Sequence, residues 1–272
     1  MYVRRKVKAL PRNRPETCAS TPRTKKRVVC IGDSITQGTL SFNYVDALSS
    51  KPYNHDFEFI NAGMGRDLAW NVLQRLDPVI DLKPGFITIL IGSYEVDATL
   101  SHKREKKYKK SNKLPQIPSP EWFRENLNQI LQRLQNETTA HIALISPPLV
   151  GEDLGEESNY WSAEYSVIVK EVAEAFGVGY LPLNEREREL LQSLNHISRN
   201  AYKKNGHLIR RSAFRRYVLK KSWDDISEKN GFLLTPDLIH KNSKGGKIII
   251  HLIDRFITRV EENKGAGVTV GQ

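Results

Sequence analysis

Five short apolar runs recur along the chain, and each of them ends at residues typical of turns. They cover residues 28–31, 57–60, 86–91, 141–145 and, more weakly, 178–181. Mainly apolar runs of this length, stopped by glycine, asparagine or serine-proline, are typical of strands that are buried on both faces. The pattern therefore predicts five buried strands.

Stretches with helical periodicity lie between and after these runs. The clearest covers 122–134, where apolar residues recur at helical spacing, and others lie at 45–48, 68–76 and 165–176. A last helix is predicted over 244–260. Strands that alternate with helices predict an α/β fold, in which helices cover both faces of a five-stranded parallel sheet.

Length and composition fit one soluble domain with insertions. The chain has 272 residues, of which 39% are hydrophobic and 27% are charged, and no apolar run approaches the roughly 20 residues of a membrane span. Two cysteines, Cys18 and Cys30, form neither a disulfide framework nor the ligand pattern of a structural zinc site. We therefore expect a reducing, cytoplasmic location, no metal and no other cofactor.

The positive charge is concentrated in three segments. Residues 1–27, 101–113 and 199–221 carry net charges of +9, +6 and +9, so the rest of a chain with net charge +11 carries −13. A basic face in the second segment is typical of a solvated loop, although its charge also suits anionic substrates. Binding of nucleic acid is the least favoured interpretation, because few aromatic residues lie among these charges.

The same segments suggest the domain organisation. We interpret residues 1–25 as a basic, disordered tail, with an organelle-targeting segment as the alternative. The domain covers 26–262, with insertions at about 93–120 and 184–230, the second of them helical. Residues 263–272 are interpreted as a flexible C-terminal tail.

A candidate nucleophile follows the first strand. In Gly32-Asp33-Ser34, the glycine permits a tight turn and Ser34 enters a helix, where free backbone N–H groups can stabilise an oxyanion. Taken alone, this tripeptide is better explained as an ordinary helix N-cap. A second motif about 200 residues later changes that balance.

This second motif contains Asp237 and His240, which a spacing of three residues puts on one side of a turn. The aspartate can then hold one imidazole nitrogen while the other nitrogen takes the proton of a serine. A loop-capping aspartate beside a surface histidine is the alternative, and Ser34 favours the catalytic interpretation.

The order of these motifs resembles that of the SGNH or GDSL hydrolases, which are serine esterases and lipases with a three-layer α/β/α, flavodoxin-like fold. The block Asn61-Ala62-Gly63-Met64-Gly65 is similar to the glycine block of that family. The resemblance implies that Ser34 is the nucleophile, His240 the general base and Asp237 the residue that orients it. It further implies that the N–H groups of Ser34 and Gly63 donate to the oxyanion, and Asp33 is a candidate substrate-binding residue.

One block departs from the family pattern. After strand three the family has Gly-x-Asn-Asp, whose asparagine completes the oxyanion hole, whereas this chain has Gly92-Ser93-Tyr94-Glu95. A phenol carries its single donor at the far end of a rigid ring and does not substitute directly for a short amide. Either the Tyr94 hydroxyl reaches the site by another path, Ser93 or a water supplies the donor, or two backbone donors suffice. The remaining alternative is that Tyr94 only packs over the cleft.

These observations predict a serine hydrolase that cleaves a carboxylic ester of a lipid or carbohydrate through an acyl-enzyme. The alternative is an SGNH-fold binding protein, catalytically weakened or inactive because of Tyr94. Both insertions follow strands and are expected to wall the cleft and select the substrate.

Overall fold

The five predicted strands form one parallel sheet in the computed structural model, which describes residues 9–20, 22–196, 198, 202 and 205–267. Neighbouring strands are parallel, in the order β2-β1-β3-β4-β5. The predicted α/β fold is therefore confirmed. The strands are β1 (Lys26–Gly32), β2 (Phe57–Gly63), β3 (Phe86–Leu90), β4 (His141–Ile145) and β5 (Gly179–Leu181).

A helix lies at each stretch where the periodicity predicts one, and shorter helices fill the connections. In chain order the helices are α1 (Pro15–Cys18), α2 (Ser34–Gln37), α3 (Tyr44–Ser49), α4 (Ala69–Leu73), α5 (Asp77–Ile80), α6 (Ser93–Thr99), α7 (His102–Ser111), α8 (Pro120–Glu137), α9 (Glu157–Ala175), α10 (Leu183–Ser193), α11 (Asn205–Tyr217), α12 (Trp223–Asn230) and α13 (Ser243–Gly267).

Alternate residues of the strands bury two separate apolar faces, which makes the domain three-layered. Val29 and Ile31 of β1 belong to the cluster formed with α8 and α9. Val28 and Cys30 belong to the cluster formed with α3 and α13. Because successive side chains of a strand point to opposite faces, the mainly apolar runs of the sequence place side chains in both layers.

The carboxyl ends of three strands meet at one edge of the sheet. Gly32 at the end of β1 is aligned with Gly63 of β2 and with Leu90 of β3. The loops that follow these strands therefore emerge side by side, at the edge where open parallel sheets bind ligands.

Residues 9–20 lie against the sheet, in contrast to the disordered tail predicted for 1–25. The carbonyl oxygen of Asn13 accepts the Asn61 N–H at 2.9 Å, and its side-chain amide donates to the Phe59 carbonyl at 3.0 Å. β2 is an edge strand with unpaired backbone groups, and Asn13 satisfies two of them. Cys18 in α1 is buried in the core. Residues 1–8 and 21 of the predicted tail lie outside the described residues.

The two predicted insertions consist largely of helices. Residues 102–111, predicted to lie in a solvated loop, form α7, because Ser101 caps the helix and Tyr108 is buried with Leu114 in a small apolar cluster. The lysines of α7 stay exposed, so their charge does not oppose the helix. In the described part of 184–230, which was interpreted as helical, the chain forms most of α10 and all of α11 and α12.

The last helix continues to Gly267, five residues past the predicted domain boundary at 262. Residues 268–272 of the predicted C-terminal tail lie outside the described residues. Within the part of the chain that the structure describes, no helix has both the length and the apolar composition needed to cross a bilayer.

Candidate active site

Ser34 stands at the start of α2, directly after β1. The Asp33 carboxylate caps this short helix by accepting the Ile35 N–H at 2.8 Å. Glycine is required at residue 32, because a Cβ there would lie 2.5 Å from the Leu90 carbonyl oxygen. The tight turn from strand to helix holds Ser34 at the carboxyl edge of the sheet, where its side chain is 4% exposed.

His240 and Asp237 lie on the loop between α12 and α13. The Asp237 carboxylate accepts the backbone N–H of His240 at 2.9 Å and that of Ile239 at 3.2 Å. Between the two residues Leu238 has a φ of +75°, a conformation that non-glycine residues rarely adopt. The surrounding contacts maintain it, since the Leu238 carbonyl accepts the Gly151 N–H at 2.7 Å.

Another carboxylate, which sequence reasoning missed, anchors the beginning of this loop. Glu152 is 1% exposed and accepts the backbone N–H groups of Leu233, Leu234 and Thr235 at distances of 2.7 to 2.9 Å. No motif spacing connects Glu152 with a loop about 80 residues away, so only the tertiary structure reveals this contact.

Ser34, His240 and Asp237 form one hydrogen-bonded line. Ser34 Oγ is 3.0 Å from His240 Nε2, and His240 Nδ1 is 2.9 Å from Asp237 Oδ2. An ionised carboxylate only accepts hydrogen bonds, so Nδ1 carries the ring hydrogen and Nε2 is left to accept the serine proton. All three side chains are buried. This geometry can activate a serine as a nucleophile.

Asp33, a candidate substrate-binding residue, is fully buried next to Ser34 and is not among the residues that line the cavity. Burial raises the pKa of its carboxyl group to about 6. In the described part of the chain, its Oδ2 atom has no hydrogen-bond partner. In the structure the Asp33 carboxylate caps α2 through the Ile35 N–H.

The N–H group of Gly63, predicted to donate to an oxyanion, donates to the Asn61 side chain at 3.0 Å. Gly63 also packs on α2, where a Cβ would lie 2.2 Å from the Gln37 backbone nitrogen. The structure therefore does not bring the Gly63 N–H to Ser34.

The turn after Gly63 lies closer to the nucleophile. Met64, Gly65 and Arg66 all line the cavity, and a Cβ on Gly65 would be 3.8 Å from the Ser34 Cβ. Arg66 has a φ of +75°. Among the described residues, no hydrogen-bond acceptor is found for the backbone N–H of Gly65 or Arg66.

Tyr94 reaches the nucleophile. Its hydroxyl is 2.8 Å from Ser34 Oγ, and its side chain is 6% exposed. α6 begins directly after Gly92, whose φ of +127° turns the chain away from β3. Of the alternatives left open by the sequence, the structure favours a hydroxyl that reaches the site by a path different from that of an amide.

A cavity of about 660 Å³ opens above Ser34. The N-terminal segment contributes Leu10 to its wall, α7 contributes Lys107 and Tyr108, and α11 contributes Gly206 and Ile209. Both predicted insertions thus wall the cleft. Among the described residues, no three His, Cys, Asp or Glu side chains are grouped so as to hold a metal ion.

Asp97 ties the walls of this cavity together. Its carboxylate accepts the hydroxyls of Tyr108 and Tyr202, each at 2.7 Å, and pairs with the Arg104 guanidinium. Asp97 is 6% exposed. One buried carboxylate therefore connects α6 with α7 and with residue 202 of the second insertion, a contact that the sequence did not indicate.

Comparison with known proteins gives a family match and proteins of similar fold. Residues 30–208 match the model of the GDSL-like lipase/acylhydrolase family. The fold is similar to that of Axe2, an acetylxylan esterase from Geobacillus stearothermophilus, at 16% identity and a TM-score of 0.60, with 87% of this chain and 96% of the other covered. It is also similar to that of the acetyl xylan esterase AlAXEase, at 19% identity and a TM-score of 0.60, with 84% and 97% covered. No curated protein sequence matches the chain significantly.

Proposed function

The chain belongs to the GDSL-like lipase/acylhydrolase family and is a hydrolase of ester bonds, and from this premise we propose that Ser34, His240 and Asp237 cleave a carboxylic ester through an acyl-enzyme. The observation that carries the proposal is the continuous line from Asp237 Oδ2 through the imidazole to Ser34 Oγ, with contacts of 2.9 and 3.0 Å. Ser34 and His240 are 206 positions apart in the sequence, and helix capping does not explain why their side chains meet.

In the first half of the reaction, Ser34 Oγ bonds to the carbonyl carbon and gives its proton to His240 Nε2. The electron pair of the carbonyl double bond moves to the oxygen, and its return expels the alcohol, which takes the proton from Nε2. Water then repeats these steps on the acyl-enzyme and releases the acid. Asp237 holds the ring and stabilises its positive charge.

The oxyanion needs donors on the cavity side of Ser34. The Ser34 N–H at the start of α2 is one, as predicted from the sequence. For the second, we assign a backbone N–H of the turn at Gly65 and Arg66 in place of Gly63, because this turn lines the cavity and its N–H groups have no acceptor among the described residues.

For the substrate, a short acyl ester of a carbohydrate fits best, with a lipid ester as the alternative. The two similar solved structures are acetylxylan esterases, and polar groups such as Gln37 and Asp97 line a cavity of about 660 Å³. Arg66 and Lys107 add two positive charges to the wall, which favours substrates with an acidic group near the ester.

The non-catalytic alternative assumed that a phenol at residue 94 leaves no donor near the nucleophile. The contact of 2.8 Å between the Tyr94 hydroxyl and Ser34 Oγ removes that reason for it.

A fluorophosphonate probe tests the proposal, combined with hydrolysis of p-nitrophenyl acetate. We expect Ser34 to be labelled, Ser34→Ala to lose labelling and hydrolysis together, and His240→Ala to lose hydrolysis while its thermal unfolding stays close to that of the wild type. Ser166→Ala is the matched control, because it removes another buried serine hydroxyl, which donates to the Ser162 carbonyl at 2.7 Å. Hydrolysis that persists in Ser34→Ala would contradict the mechanism.

A further inference from the structure

We infer that the Tyr94 hydroxyl donates to the oxyanion, at the position where the family pattern has an asparagine. The inference rests on the proposed Ser34 mechanism and adds to it a catalytic residue particular to this chain. It starts from the contact of 2.8 Å between the Tyr94 hydroxyl and Ser34 Oγ, both of which belong to buried side chains that line the cavity.

The other contacts of Ser34 determine which hydroxyl donates in this pair. Because the Asp237 carboxylate accepts from His240 Nδ1, the Nε2 atom has to accept, and the Ser34 hydroxyl is its donor. The Ser34 proton is thus already used. Tyr94 therefore donates, and its O–H points at the atom that attacks the substrate.

When Ser34 attacks the ester, the best hydrogen-bond acceptor changes from Ser34 Oγ to the former carbonyl oxygen, which is bonded to the same carbon. Once Ser34 Oγ has bonded to the carbonyl carbon, Oγ is an ether-like oxygen, while the former carbonyl oxygen on the same carbon carries the negative charge. A donor within hydrogen-bond distance of Oγ needs only a small tilt to reach this second oxygen, and its bond to the charged oxygen is the stronger of the two. The proton stays on Tyr94 throughout, and only the acceptor changes.

The phenol has to stay neutral to act as a donor. Burial, with a smaller contribution from the charge of Asp33, raises the pKa of Tyr94 above its usual value. The hydroxyl therefore keeps its proton over the whole range in which an esterase works, and its desolvated surroundings strengthen a bond to an anion.

The packing explains how a long side chain serves where a short amide does in the family. The Tyr94 ring lies against Tyr108 of α7, with ring centroids 5.8 Å apart, in a cluster that also holds Leu68 and Leu114. α7 and Leu114 belong to the insertion after β3. The insertion thus supplies side chains that position the Tyr94 ring toward Ser34.

The test is Tyr94→Phe, which removes the hydroxyl and keeps the ring. We expect kcat for p-nitrophenyl acetate to fall about 10²- to 10³-fold, because the lost bond forms to the transition state. KM should change by less than about threefold. Labelling of Ser34 by a fluorophosphonate should slow as well, since its phosphoryl oxygen occupies the oxyanion position.

Tyr165→Phe is the matched control, because it removes another buried phenol hydroxyl. The Tyr165 hydroxyl lies 3.0 Å from Thr99 Oγ1 and is not bonded to Ser34. It should match Tyr94→Phe in thermal midpoint and keep wild-type kcat. Tyr94→Asn should also lose activity, because it empties the cluster under α7.

A Tyr94→Phe protein with wild-type kcat and labelling rate, or a Tyr94→Asn protein more active than the wild type, would overturn the inference. If Ser34→Ala is inactive in the same assays, the proposed function survives that result. Hydrolysis that persists in Ser34→Ala would instead defeat the proposed function itself.

Discussion

Glu95 is the second residue at which the block after β3 differs from the family pattern. It is 2% exposed, and its Oε1 atom accepts the Ala69 N–H at 2.6 Å at the start of α4. No partner for Oε2 is found in the described part of the chain. Burial raises the pKa of Glu95 from 4.5 to about 8, so at neutral pH this residue is a neutral acid that positions a helix.

Glu95→Gln should change how stability depends on pH. The pKa of Glu95 is higher in the folded protein than in the unfolded chain. The stabilisation that its bound proton gives to the folded state is therefore fully present below about pH 4.5 and is lost as the pH rises through about 8. Between about pH 4.5 and 8, the free energy of unfolding of the wild type should fall by about 3–5 kcal/mol. Glu95→Gln should not show this fall. Urea denaturation of both proteins at pH 5, 7 and 9 measures the difference.

Glu189→Gln, at a residue exposed on α10, is the control and should keep the wild-type slope. Parallel stability curves for the wild type and Glu95→Gln would show that Glu95 does not bind this extra proton.

At the scale of elements, α7 carries two separate functions on two faces. Its buried face presents Tyr108 to Asp97 and to the Tyr94 ring. Its exposed face carries the lysines, of which Lys107 lines the cavity. The buried face of α7 therefore supports the Tyr94 ring, and its exposed face adds positive charge to the cavity wall.

Asp97→Ala should disconnect the cavity walls. It leaves the hydroxyls of Tyr108 and Tyr202 without their acceptor and Arg104 without its partner, so we expect a loss of about 3 kcal/mol in unfolding free energy. Because the Tyr108 side chain that Asp97 holds also packs on the Tyr94 ring, kcat should fall together with the rise in KM. Asp77→Ala, which removes an exposed ion pair with Arg133, is the control and should change stability by less than about 1 kcal/mol. Equal effects of the two substitutions would refute the bracing role.

Lys107→Gln should alter substrate preference. For an ester with a free carboxylate, such as mono-p-nitrophenyl succinate, we expect kcat/KM to fall about 2- to 5-fold relative to the neutral acetate, in line with one partly screened charge. Lys110→Gln on the same helix is the control, because Lys110 does not line the cavity. An unchanged ratio between the two esters would argue against a role for this charge.

At the scale of the whole molecule, the N-terminal segment completes both the sheet and the cavity. Asn13 bonds the edge strand β2, and Leu10 reaches the cavity wall. The Gln37 amide donates to the Ala9 carbonyl at 2.9 Å, which holds the segment beside α2. Residues 9–13 therefore contribute both to the packing of the domain and to the cavity wall.

Deletion of residues 1–14 should expose the edge of β2. We expect a loss of about 1–3 kcal/mol in unfolding free energy, together with concentration-dependent association through the free edge. Denaturation curves and light scattering measure the two effects. Deletion of residues 1–8, which keeps Leu10 and Asn13, is the control and should behave as the full chain does. A 1–14 deletion that is stable and monomeric would mean that the edge needs no cover.

The sequence by itself determined the layers of this protein and identified Ser34, Asp237 and His240 as candidate site residues. Apolar periodicity and turn residues act over a few neighbouring positions, so they can be read without knowing what packs where. The same is true of a motif with a three-residue spacing. The wrong expectation of a loop at 102–111 arose because the charge pattern of this segment does not reveal the Ser101 cap or the burial of Tyr108.

Only the tertiary structure decided the contacts between distant segments. The approach of the Tyr94 hydroxyl to Ser34 and the anchoring of the His240 loop by Glu152 both depend on where packed elements leave a donor or an acceptor. Hydrogen bonds require a match within a few tenths of an ångström. Local sequence patterns do not carry that precision, because the packing of the whole domain determines it.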